Sequence, residues 1–111
     1  MTFHVIVDDR AIADIERNAE WWAEHHSPTQ AKRWYEAVFE AIYALEDNPE
    51  QHAFSAENQK FPFAIRDLIC GLGSRPTYRA VFTIQGDEVH VLTVRRATED
   101  AIGDEDIEPP T

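Results

Sequence analysis

Tyr78-Arg79-Ala80-Val81-Phe82-Thr83-Ile84, then Gln85-Gly86-Asp87-Glu88, then Val89-His90-Val91-Leu92-Thr93-Val94-Arg95-Arg96: two runs rich in β-branched and aromatic residues flank a short polar segment with a glycine. Such runs suit pleated strands, and a glycine-containing break of this length predicts a hairpin. Alternation puts Tyr78, Ala80, Phe82 and Ile84 on one face and Arg79, Val81 and Thr83 on the other. The bulkier apolar set is expected to face the core, which leaves Arg79 projecting from an open face of the sheet. Arg95 and Arg96 are adjacent and point to opposite faces, so only one of them can join Arg79.

Working outward, Ala64 to Cys70 predicts a further strand, with Gly71-Leu72-Gly73-Ser74-Arg75-Pro76 as its exit loop. Either Arg66 or Asp67 can point outward from it. Residues 49–62 are polar and aperiodic between Pro49 and Pro62, which predicts a connecting loop packed over one end of the sheet. Before that loop stand two helical patterns. Ile12, Ile15, Ala19 and Trp22 form one apolar stripe, with Asp8 or Asp9 as its N-cap. Ser27-Pro28-Thr29-Gln30 is a capping box with proline at the first helical position, and it opens a second helix that reaches about Asp47. Asn48-Pro49 stops that helix, because a residue before proline avoids the helical region. Phe3 to Val7 is a short half-buried strand. The order is therefore βααβββ, an α+β fold with a helical hairpin packed on one face of a mostly antiparallel four-stranded sheet. Residues 1–97 make the domain, and 98–111 form an acidic, flexible tail.

At 111 residues, 43% hydrophobic and 28% charged, the chain has the length and composition of one globular domain. No apolar run approaches the roughly 18 to 20 residues that a membrane span requires, and the N-terminus lacks a secretory pattern. With Cys70 as the single cysteine, no disulfide can form within the chain, and a cytoplasmic location is expected. The net charge of −11 is unevenly spread. Residues 1–60 carry 12 acidic and 5 basic side chains, residues 61–96 carry 3 acidic side chains and 5 arginines, and residues 97–111 carry 6 acidic side chains alone. The predicted sheet is the only positive segment. An acidic chain repels phosphates at long range, so an anionic target would have to meet a local arginine patch.

Arg66, Arg79, Arg95 and Arg96 are the candidates for such a patch. Their planar forks fit phosphate or carboxylate bidentately, although each could equally pair with a nearby acid such as Asp67, Asp87 or Glu88. Trp21 and Phe39 lie off the inward stripes of the helices and are candidates for an exposed apolar patch that meets a partner. Adjacent histidines such as His25-His26 diverge by about 100° on a helix, and His4, His52 and His90 fall on separate elements, so neither a metal nor a cofactor is expected.

The pattern Arg66-x-Leu68 … Tyr78-Arg79-x-x-Phe82 … Val89-x-x-Leu92-x-Val94-Arg95, with the order of elements from about Phe3 to Ala97, resembles the RelE/ParE superfamily of type II toxin–antitoxin (plasmid-stabilisation) modules. The resemblance implies a toxin neutralised by a cognate antitoxin, as a homodimer or a toxin–antitoxin hetero-oligomer. In the superfamily's ribosome-dependent mRNA endonucleases, the arginine matching Arg79 contacts the scissile phosphate; Arg66 is a looser match to a basic position, and Arg95 or Arg96 sits where those nucleases carry a C-terminal basic or histidine residue. Many relatives end the last strand in Val-Arg-His, whereas here Arg96 replaces the histidine. Arginine is a poor general acid or base. That departure favours the ParE branch, whose members bind DNA gyrase and are not known to cleave RNA, and it leans against an enzyme. The alternatives are a RelE-like nuclease using Arg79, Arg66 and Arg95, and a non-toxic binding module. For partner binding, Arg79, Arg95, Trp21 and Phe39 are the candidates.

Overall fold

The computed structural model describes residues 2–98 together with Ile102 and Ile107. Strand β1 (His4–Val7) leads into helix α1 (Asp9–His25), and α2 (Pro28–Tyr43) follows. After an irregular connection come β2 (Arg66–Cys70), β3 (Tyr78–Gln85) and β4 (Glu88–Arg96). The four strands lie in the order β1-β4-β3-β2. Both β2–β3 and β3–β4 are antiparallel, whereas β1 runs parallel to β4 with Val5 opposite Val89. The sheet is thus mixed, and its parallel pair is possible because the helical hairpin and β2–β3 separate the two strands in sequence.

Local chemistry explains the boundaries. Ser27 holds the start of α2 by accepting from the Gln30 N–H at 3.1 Å, with Pro28 next to it. Asp8 occupies the N-cap of α1 in extended conformation but makes no side-chain capping bond. α2 ends at Tyr43, earlier than expected, and the chain tightens into a 3₁₀ turn at Ala44–Glu46. Asn48, with φ 49°, then reverses the chain ahead of the buried Pro49. In the β3–β4 hairpin, Gln85 pairs with Glu88, which leaves Gly86-Asp87 as the turn. Gly86 has φ 63°, a left-handed conformation that glycine enters without a Cβ clash.

Two apolar clusters lie on the two faces of the sheet. On the helix side, Ala11, Ile15, Trp34, Val38, Ile42 and Leu45 pack against Leu68, Cys70, Tyr78, Ala80, Phe82, Val89, Val91 and Val94. Ala11, rather than Ile12, leads the inward stripe of α1. Burying each larger aliphatic or aromatic chain contributes about 1.5 to 3 kcal/mol. On the opposite face, Ile65, Val81 and Leu92 meet Ile102 and Ile107, with Phe61 and Phe63 alongside. A bulge makes this second cluster possible. Val81 opposes Thr93 but Phe82 opposes Val91, so Leu92 is an extra residue in β4. It turns Leu92 to the far face while Val91 and Val94 both stay on the helix side.

The α1 residue Asp14, buried on the helix, supports the strand where this bulge disturbs it. Its Oδ2 accepts from Thr93 Oγ1 at 2.6 Å and from the Val94 N–H at 3.1 Å, and its Oδ1 accepts from Arg17 at 2.7 Å. The Val94 N–H lies beyond the stretch of β4 that pairs with β1, so a carboxylate does there what a neighbouring strand would otherwise do.

The far face is covered, which corrects the expectation of an open one. Residues 53–55 add a short pairing at the edge of β2: Ser55 N donates to Ile65 O at 2.9 Å and Asp67 N to Ala53 O at 3.0 Å. The connection then crosses the face through Glu57. The expectation of a flexible tail falls mostly outside the described residues. Of its described positions, Thr98 is exposed, whereas Ile102 and Ile107 are 1% and 5% exposed.

Candidate functional site

Arg79 was expected on an open surface, yet it is 5% exposed. It does point away from the helices, as alternation requires. What alternation could not reveal is the connection folded over it. Nη1 donates to Glu57 Oε1 at 2.9 Å and Nη2 to Oε2 at 2.8 Å, a two-pronged ion pair. Asp67 lies 3.4 Å from Nη1 and accepts in turn a short hydrogen bond from Ser55 Oγ. The Ile102 N–H closes the network by donating to Glu57 Oε2 at 3.0 Å. Among the described residues, Arg79 Nε is buried without a hydrogen-bond partner.

Such a network shifts both partners toward their charged forms. Hydrogen bonding from Arg79 pulls the Glu57 carboxyl down to about 2, against the opposing effect of burial, and the Ile102 N–H helps. The same pair pushes the Arg79 guanidinium above its ordinary value. Removing two charges from water is costly, and the cost is offset only by close geometry and by satisfying the remaining lone pairs and protons: the Ile102 N–H donates to Glu57, and Asp67 accepts from Arg79.

The other arginines are dispersed. Arg66 donates to the carbonyls of Glu50 at 3.0 Å and His52 at 2.6 Å, and its guanidinium lies 4.1 Å from the centre of the Phe54 ring. It therefore holds the 50–54 segment to the edge of β2. Burial and the nearby Arg66 charge lower the His52 pKa. Arg95 is the direct cross-strand neighbour of Arg79, so it is Arg95 that shares that face. Arg96 opposes Tyr78 and lies 4.5 Å from the Trp21 ring centre.

Trp21 and Phe39 are both half-buried and belong to separate groups. Trp21 stacks on His25 at 4.5 Å near the end of α1, beside Trp22, whose indole N–H donates to the Tyr78 hydroxyl at 3.2 Å. Phe39 sits between Tyr35 and Tyr43, with ring centres at 4.8 and 6.1 Å. Tyr35 and Tyr43 are 40% and 53% exposed, so α2 presents an aromatic stripe at i, i+4 and i+8. The sequence places Phe39 off the inward stripe, but Tyr35 and Tyr43 read as part of a mostly buried aromatic cluster on the helical hairpin, and their exposure corrects that expectation. Sequence reasoning missed Glu57, which stands in an aperiodic loop with no pattern to mark it. Cys70 is buried, and burial pushes its thiol up to about 12, which leaves it without nucleophilic character at neutral pH.

The sequence profile of the family described as "ParE toxin of type II toxin-antitoxin system, parDE" matches residues 5–101. The chain belongs to the ParE toxin family. Membership makes it the toxin half of a toxin–antitoxin pair and implies an antitoxin as partner. No curated protein matches it. Among solved structures, one described as "Chromosomal ParDE TA system from P. aeruginosa" is similar, with a TM-score of 0.70 and 20% sequence identity. The match covers 86% of this chain and 96% of that one. At that identity the likeness speaks for the fold, and it agrees with the two helices and four-stranded sheet described above. Among the described residues, no helix of this ParE-family chain is long and apolar enough to cross a membrane.

Proposed function

We propose that this ParE-family chain acts in the cytoplasm by binding DNA gyrase, without cleaving RNA, and is held inactive by its cognate antitoxin. The observation that carries the choice of binding over cleavage is the state of Arg79. A guanidinium that clamps a scissile phosphate must reach solvent, whereas this one is already clamped by Glu57 and covered. With Arg66 committed to two loop carbonyls and Arg96 set against Trp21, the arginines do not converge on one exposed point. The absence of the strand-terminal histidine from the sequence supports the same reading.

The test is a pair of assays on one purified preparation. Inhibition of gyrase supercoiling with intact mRNA in a translating extract supports the proposal. Site-specific mRNA cleavage with unaffected supercoiling would replace it with the nuclease reading. Inducible expression that leaves colony formation unchanged would point instead to a non-toxic binding module. For the antitoxin, the aromatic stripe centred on Phe39 is the exposed apolar surface of the helical hairpin, with Arg95 and Trp21 as polar and aromatic contacts elsewhere.

A further inference from the structure

The outer face of α2 carries a row of side chains whose spacing is the same from either end. Lys32, Tyr35, Phe39, Tyr43 and Glu46 follow at intervals of three, four, four and three residues, which places them along one line of the helix and its closing 3₁₀ turn. Tyr35 and Tyr43 are exposed, Phe39 is half-buried between them, and Lys32 and Glu46 are exposed at the two ends. The Glu46 end is fixed, because its carbonyl accepts from the Phe3 N–H at 2.9 Å. The end charges run against the helix. Acids favour a helix start and cations a helix end, yet α2 has no acid in its first turn and no cation in its last. Lys32 stands near the start and Glu46 just past the end. Within the chain these charges are weakly served. Lys32 reaches Glu36 only at 3.9 Å, with the two side chains 79% and 62% exposed, a kind of pair that contributes little. Glu46 has no ion pair among the described residues.

We infer that this face of α2 is the interface for a second copy of the chain, packed antiparallel about a two-fold axis at Phe39. With Phe39 against its own counterpart, Tyr35 lies opposite the partner's Tyr43, and Lys32 opposite the partner's Glu46. The two-fold repeats both contacts, so the aromatic rings are covered between two ion pairs and the contact closes on itself. Each helix start then lies beside the other's end, where both end charges become favourable. A parallel pairing would set lysine against lysine and glutamate against glutamate, so the row selects one orientation. One face of a 16-residue helix offers less than the roughly 800 Å² per partner of a standard interface, and a dissociation constant of about 10 to 100 μM is expected. Nothing in this contact depends on gyrase being the target. An antitoxin taking the same aromatic stripe would compete with the second copy.

Sedimentation equilibrium of the purified full chain over a concentration series tests this, with three variants. The positions are exposed, so the variants are expected to keep the wild-type circular dichroism. The wild-type chain should pass from monomer to dimer, and no further, between about 1 μM and 1 mM. Tyr43→Ser removes a ring at two symmetry-related places and should raise the dissociation constant at least about tenfold. Lys32→Glu and Glu46→Lys each turn two attractive contacts into repulsive ones. Each alone should weaken self-association about tenfold at low salt, and less at high salt. Mixed in equal amounts, these two charge variants should form a heterodimer as tight as the wild-type dimer, because every end contact is again lysine against glutamate. A wild-type chain that stays monomeric to about 1 mM overturns the proposal and leaves the stripe to the antitoxin alone. A dimer indifferent to Tyr43→Ser overturns it too, since another surface then holds the copies together. Charge variants that do not associate on mixing rule out the antiparallel pairing, and with it the proposal.

Discussion

Replacing Arg79 by alanine would leave Glu57 buried beside an empty space, with an ionised carboxyl that no longer has its main partner. Breaking one side of a buried pair typically costs about 3 to 5 kcal/mol, and a loss in that range is expected in urea titrations of Arg79→Ala. Any drop in toxicity in that variant would then report the fold before it reported a contact. A companion variant separates the two effects. Glu57→Leu/Arg79→Met removes both charges together and should recover most of the lost stability. If it is stable and still toxic, Arg79 serves the structure and not the target. Asp14 carries a comparable load at one point. Asp14→Ala strips the acceptor from Thr93 Oγ1 and the Val94 N–H, and two buried donors without partners should cost about 2 to 4 kcal/mol in the same assay.

The elements differ in how openly the sequence declares them. The hairpin of β3 and β4 was legible because its two runs are rich in β-branched and aromatic residues and its turn contains glycine. The start of α2 was legible because Ser27, Pro28 and Gln30 each act locally. Ser27→Ala should accordingly lower stability by about 1 kcal/mol, seen as a lower thermal midpoint. The bulge at Leu92 was not legible, since a strand of continuous apolar residues such as Val91-Leu92-Thr93-Val94 reads the same with or without an extra residue. The burial of Arg79 was not legible for a different reason. Strand periodicity assigns a side chain to a face, and only the long-range path of the 53–65 connection decides whether that face meets water. The candidate arginines were therefore placed on the right strands, while the surroundings that govern the chemistry of Arg79 came from a segment with no periodicity at all.

For the molecule as a unit, acid is the condition that exposes these arrangements. The Glu57 carboxyl titrates at about 2 in the folded chain, against about 4.3 in an unfolded one. Because the folded value is the lower, the group stabilises the fold fully above about pH 4.5, and that contribution is lost as the pH falls toward 2. The difference corresponds to about 3 kcal/mol. His52 acts in the same sense from a higher starting point. Its pKa is lowered by burial and by Arg66, so protonation favours the unfolded chain once the pH drops below about 6.5. Stability measured by urea midpoint should decline gently below pH 6.5 and more steeply below 4.5. In Glu57→Gln the steep part should be markedly flatter, and an unchanged acid profile in that variant would show that the buried pair is not what acid attacks.

The parallel pairing of β1 with β4 has a consequence for how the protein is made. The strand partner of His4, Glu88, is synthesised more than eighty residues after it. At about 5 to 20 residues per second, a ribosome takes roughly 5 to 15 seconds to cover that distance. Throughout that interval the first strand has no neighbour, and the helical hairpin has only part of a sheet to lie against. The last strand supplies the surface that α1 packs on and the edge that β1 joins, so assembly is completed from the carboxyl end. The sheet thus cannot close until β4 has been made, which gives a neutralising partner time to be present when it does.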